Sequence, residues 1–174
     1  MYGQEFVRDV RIAFEQKDER YLRELAGKIA ARAAAEHDED LARLAVIAYA
    51  LSKLLGKAHF VQSPNWPRYR HAILSALRDA ERGYERHIIQ RVEQTIRRID
   101  QQDGHFVKNI VDKARAKMAA VAYSTGVSPG IAAKLFGADL ADLLSYIGNM
   151  KVHEEHETHI GILERVEALR RLAE

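Results

Sequence analysis

The sequence predicts an all-α protein. Apolar residues recur at helical spacing along nearly the whole chain, and no stretch alternates with a two-residue period between good turn signals. A composition of 47% hydrophobic and 30% charged residues, with no long polar tract, belongs to a folded chain rather than a disordered one. At 174 residues the chain can bury one substantial core, or one core with a small appended module. The expected architecture is an N-terminal helical bundle over residues 1–104 with a long connecting helix. A helix-turn-helix-like unit with a final helix follows over 105–174.

A first helix near 3–15 is expected to bury Phe6, Val10 and Phe14, and a second, near 18–36, carries Tyr21, Leu22, Leu25 and Ile29. Asp38 or Asp40 caps a third, LARLAVIAYALSKLL. This helix is apolar around most of its circumference and so belongs at the centre of the bundle, with Gly56 as its stop. Pro64 and Pro67 disfavour helix before them and mark a long connection, in which Asn65 suits a turn or cap. Trp66, the only tryptophan, is expected to close this loop onto the core; the alternative is an exposed anchor for a partner or nucleobase.

From Pro67 one helix is expected to run to about Asp100, with Ile73, Leu77, Tyr84, Ile88, Val92, Ile96 and Ile99 as its apolar stripe. At 1.5 Å per residue it would span roughly 50 Å. Gly83 permits a bend instead, at about 1 kcal/mol relative to Ala. Residues Asp100, Gln101, Gln102, Asp103 and Gly104 form the expected boundary, followed by a helix near 106–125 that ends at Ser124, Thr125 and Gly126. Ser128 then caps a short helix whose first position is Pro129. Ile131, Ala132, Leu135 and Phe136 give that helix a buried face, and Ala133 lets a second helix pass close by. Gly137 suits the positive φ of a tight turn. Leu140, Leu143, Leu144 and Ile147 resume the helical period, and Gly148 ends it. A last helix near 153–173 repeats Ile162, Val166, Leu169 and Ala173 as a seam that docks on the body or pairs with another chain.

The residues GVSPGIAAKLFGADLADLLSYIG resemble the helix-turn-helix modules of small prokaryotic regulators and antitoxin-like proteins. The resemblance covers about residues 112–148, and no family is assigned to residues 1–104. It implies a second helix that enters the major groove while the helix before it crosses the backbone. Asp139, Ala141, Asp142 and Ser145 would form the exposed recognition surface, and Lys134 is the one basic side chain between Val127 and Met150. The preceding helix offers Lys108, Lys113, Arg115 and Lys117 to phosphate oxygens.

Net charge is only +2, but its distribution is uneven. Residues 66–101 hold eight arginines against five acids, and residues 150–174 hold four basic side chains against six acidic ones, so positive potential should concentrate mid-chain. Arg78, Arg82 and Arg86 recur every four residues, with Arg68, His71 and Arg97 near the same side. They form either a phosphate-tracking ridge or a solvated face balanced by Glu81 and Glu85. The spacing of Arg82 and His87 superficially resembles the Arg-x4-His element of helical RNases of the HEPN group; an Arg there would stabilise a phosphorane while His handles protons.

No metal or cofactor is expected. His153, His156 and His159 recur every three residues, a step that drifts around an α-helix and leaves a solvated, pH-sensitive helix start. With zero Cys there is neither a disulfide framework nor a thiolate site. The chain has no Gly-rich phosphate loop, nucleophile elbow or paired-carboxylate motif, and the expectation is that it is not an enzyme. The start MYGQEFVRDV lacks signal-peptide order, and no apolar run approaches the roughly 20 residues of a span; a cytoplasmic protein without a membrane partner is expected.

The expected function is a non-enzymatic regulatory or scaffold protein. Nucleic acid is the ligand class, bound through Lys108, Lys113, Arg115, Lys117, Lys134, Arg78, Arg82 and Arg86. The alternative is a helical protein–protein interaction module with a structural helix-turn-helix, its partner another protein or a second copy through the C-terminal helix. A HEPN-like RNase is third.

Overall fold

Asp18, Asp38, Asn109 and Ser128 each turn a side-chain oxygen onto the first exposed amides of a helix, and these caps divide much of the chain. The computed structural model describes residues 2–83, 86–102 and 109–149. The helices are α1 (Tyr2–Glu15), α2 (Glu19–Glu36), α3 (Glu39–Leu55), the single turn α4 (Ala58–Val61), α5 (Trp66–Arg82), α6 (Arg86–Gln101), α7 (Ile110–Ser124) and α8 (Pro129–Phe136). A further helix, α9, occupies residues 140–149. Among the described residues no strand occurs, so the fold is all-α.

α3 is the central element. Eleven of its seventeen residues are buried, and it touches α1, α2, α4, α6, α7 and α8. An apolar helix can be surrounded in this way because it has no wide polar face to keep in water. Asp38, not Asp40, is its cap: the Asp38 carboxylate accepts from the amides of Asp40 and Leu41 at 2.8 and 3.0 Å. Trp66 is buried and meets the Phe14 ring edge-on at 6.1 Å, closing the proline-rich connection onto α1.

The expected long helix from Pro67 to Asp100 does not form. Gly83 ends α5 in an extended conformation, and α6 packs alongside α5. The end of α6 returns to the start of α5, where Gln102 Nε2 donates to the Tyr69 hydroxyl at 2.7 Å. Folding back lets both halves of the stripe reach one core: Ile73 and Leu77 from α5, and Ile88, Val92, Ile96 and Ile99 from α6, are all buried. Tyr84 lies outside the described residues. A single buried cluster then extends from Val7 through Ala114 and Met118 to Ile147, crossing the expected boundary near residue 104. α7 rests on α2, α3 and α6 and carries α8.

Candidate functional site

The arginine ridge is not assembled. Because the chain reverses at Gly83, Arg78 and Arg82 belong to α5 while Arg86 belongs to α6. Arg78 donates to Glu15 at 3.0 Å, and Glu15 also accepts from Arg11 at 2.9 Å. Arg11 in turn bonds Glu81 at 2.7 Å, and that bond holds its guanidinium above its ordinary pKa; burial opposes the shift, and the charges of Glu81 and Glu15 reinforce it. Arg82 lines the same small cleft. Arg86 instead bonds Asp40 of α3 at 3.1 Å, with Glu39 at 3.6 Å. These arginines clamp α1 to α5 and α6 to α3, so a phosphate would have to compete with carboxylates already in place. Likewise Arg115 donates to Glu93 at 2.9 Å, joining α7 to α6, and Arg97 bridges Glu93 and Asp112 at 3.0 and 3.3 Å.

The unit formed by α8, its turn and α9 has the expected local geometry. Ser128 Oγ accepts from the Ile131 amide, Pro129 takes the first position, and Gly137 has φ of 63°. Leu143 and Ile147 are buried, as are Ala132, Ala133 and Phe136. Ile131, expected on the buried face of α8, is instead exposed to 48%, and Leu140 and Leu144, which continue the apolar period, are about half exposed at 46% and 50%. Only one face of so short a helix can turn to the core, and Leu143 with Ile147 occupies it. Asp139 accepts from the Asp142 amide at 3.0 Å, so its carboxylate caps α9. Ala141 and Ser145 are exposed and Asp142 is half-buried. Lys134 is exposed on α8, and Lys108 lies outside the described residues.

Lys113 and Lys117 meet partners the sequence reading did not connect to them. Between α3, α7 and α9 lies a cleft of about 550 Å³ that brings them together with Lys53 and Lys57. Tyr49 and Lys53 sit one turn apart on α3, with Lys57 a further four residues on; Lys113 and Lys117 are one turn apart on α7. The Lys53 ammonium lies 5.3 Å from the Tyr49 ring centre, and Lys117 lies 5.0 Å from that of Tyr146 on α9. Burial pushes the Tyr49 hydroxyl above its ordinary pKa, with Lys117 opposing the shift and Tyr146 reinforcing it. Three carboxylates share the cleft. Asp100 accepts from the Ile110 amide at 2.7 Å, Asp112 bonds Arg97, and Asp142 lines the α9 side. The signal for this site was two i, i+4 lines, on α3 and α7. Their meeting depends on a tertiary contact between segments about 60 residues apart, which local spacing does not encode.

The remaining candidates do not converge. Arg82 and His87 sit on different helices, and His87 does not line the cleft beside Arg82. His153, His156 and His159 lie outside the described residues, among which no group of metal-ligating side chains occurs. No described helix is long and apolar enough to cross a membrane. In comparisons with known proteins, no family model, curated protein or solved structure matches the chain.

Proposed function

We propose that this chain is a non-enzymatic regulatory or scaffold protein whose helix-turn-helix unit is a docking surface for protein, its occupant being residues 153–173 of a second copy. The observation that carries this reading is the exposure of Ile131, Leu140 and Leu144 within one small unit. Leu140 and Leu144 are one turn apart on the outer side of α9, beside Ala141, Ser145 and Gly148. That stripe is uncharged and has no Arg, Asn or Gln to bond a base edge. Water disfavours such a face, and an amphipathic helix laid on it is a common remedy. The same sequence supplies a matching segment, in which Ile162, Val166, Leu169 and Ala173 repeat at coiled-coil spacing. The six acids against four bases in 150–174 are opposite in sign to Lys134, exposed on α8 of the same unit. With both halves in one chain, self-association needs no other component, and symmetric homo-oligomers are the commonest assemblies.

Nucleic-acid binding is the weaker reading. Arg78, Arg86 and Arg115, three of the side chains it would use, already bond carboxylates. Light scattering on the eluting full-length chain, across a range of concentrations, tests the docking surface. A dimer is expected, and Leu140→Ser with Leu144→Ser should weaken it at least about tenfold, because each leucine contributes roughly 1.5 kcal/mol of burial. Val166→Glu with Leu169→Glu should do the same. A wild-type monomer at every concentration, as when the segment folds onto its own chain, would overturn the reading. So would a dimer indifferent to both pairs of substitutions.

A further inference from the structure

We infer that the cleft between α3, α7 and α9 binds a small phosphate-bearing molecule with an aromatic body, of nucleotide size. This site meets α9 through Asp142, Ser145, Tyr146 and Asn149, of which Ser145 borders the docking stripe, and it does not rest on the docking reading.

Lys53 and Lys117, two of its four lysines, are half-buried, although lysine is among the residue types most rarely buried without a paired charge. Among the described residues Lys53 and Lys117 make no ion pair; their ammonium groups lie over the Tyr49 and Tyr146 rings. An anion entering the cleft would meet two ammonium groups, those of Lys53 and Lys117, that no carboxylate among the described residues pairs. Phosphate suits the arrangement best. It carries about two negative charges and three strong acceptor oxygens, enough to satisfy several ammonium donors at once. The Tyr49 hydroxyl stays protonated at neutral pH and adds a donor. Ile110 and Ala116 supply apolar lining, and with the tyrosine rings they suit a flat organic body.

Size and charge pattern favour a small molecule over a nucleic-acid strand. The volume of about 550 Å³ falls within the roughly 300–1,000 Å³ of small-ligand sites. Asp100, Asp112 and Asp142 line the cleft together with the lysines. A strand would have to carry successive phosphates past those carboxylates. A single phosphate group needs only the Lys53 and Lys117 ammonium groups.

Calorimetric titration of the full chain with ADP, pyrophosphate and a single-stranded RNA oligomer tests the assignment. ADP should bind at least about tenfold more tightly than pyrophosphate, since the body adds apolar contact. Lys53→Gln and Lys117→Gln keep much of the side-chain stem and should each weaken ADP by about tenfold or more, as expected for a lost charge-assisted bond. Lys28→Gln, on exposed α2 surface, should leave binding unchanged. Thermal unfolding of each variant confirms that it is folded. Absence of ADP binding, equal affinity for pyrophosphate, or indifference to both lysine changes would each overturn the inference. RNA binding tighter than ADP through the same lysines would replace the small molecule with a polymer and revive the nucleic-acid reading.

Discussion

Gly137 carries a sharp backbone requirement. Its φ of 63° puts it in the left-handed region, and its amide closes α8 by donating to the Ala133 and Lys134 carbonyls. A Cβ added there would meet the Arg115 guanidinium at 3.8 Å, an ordinary contact, so any penalty comes from the backbone rather than from crowding. Gly137→Val should therefore cost about 2 kcal/mol, and Gly137→Asn clearly less, because a short polar side chain tolerates this region and a β-branched one does not. Chemical denaturation of the two variants checks the order; equal, small losses would show that the turn does not need a left-handed residue. This requirement was legible beforehand, since Ser128, Pro129 and Gly137 act through neighbours within a few residues. The exposure of Leu140 and Leu144 was not, because periodicity marks an apolar side chain without saying what covers it.

Helix boundaries follow the same division between local and distant causes. The end of α2 is informative: His37 sits at φ of 53°, with its amide donating to the Ala33 carbonyl, the position where glycine is the usual residue. An L residue there costs roughly 1–2 kcal/mol, and glycine gives back part of that through greater freedom in the unfolded chain. His37→Gly should thus stabilise the protein by up to about 1 kcal/mol, visible as a raised melting temperature; a lowered one would mean that the imidazole itself holds the end of α2. The boundaries of α3 and α8 could be read from Asp38 and Ser128, whose side chains cap within three residues. The break between α5 and α6 was only an option in the sequence, because Gly83 tolerates either a bend or a continuous helix. What decides it lies elsewhere: α3 and α1 both need apolar cover, and only a reversal gives α6 to one and α5 to the other.

At the scale of the whole molecule, the buried cluster makes α7 part of the same core as the N-terminal helices. Val111, Ala114, Met118 and Ala122 are buried, and α7 lies on both α2 and α3. The polar links point the same way, since Glu93 of α6 accepts from Arg115 of α7 and from Arg97 of its own helix. Removing α7 would uncover part of α3, which lacks a wide polar face to present to water. Loss of either part should therefore destabilise the other, and equilibrium unfolding should be a single transition. Trp66, packed on Phe14 far along the chain from α7, reports on the N-terminal part by fluorescence, while far-UV circular dichroism reports on all helices. The two transitions should coincide. Met118→Ala, which opens a cavity at a site 1% exposed, should lower both midpoints together, at a cost of about 2–5 kcal/mol. A Trp66 transition that stays in place while the circular dichroism splits into two steps would instead make the chain beyond residue 104 a separately folding module.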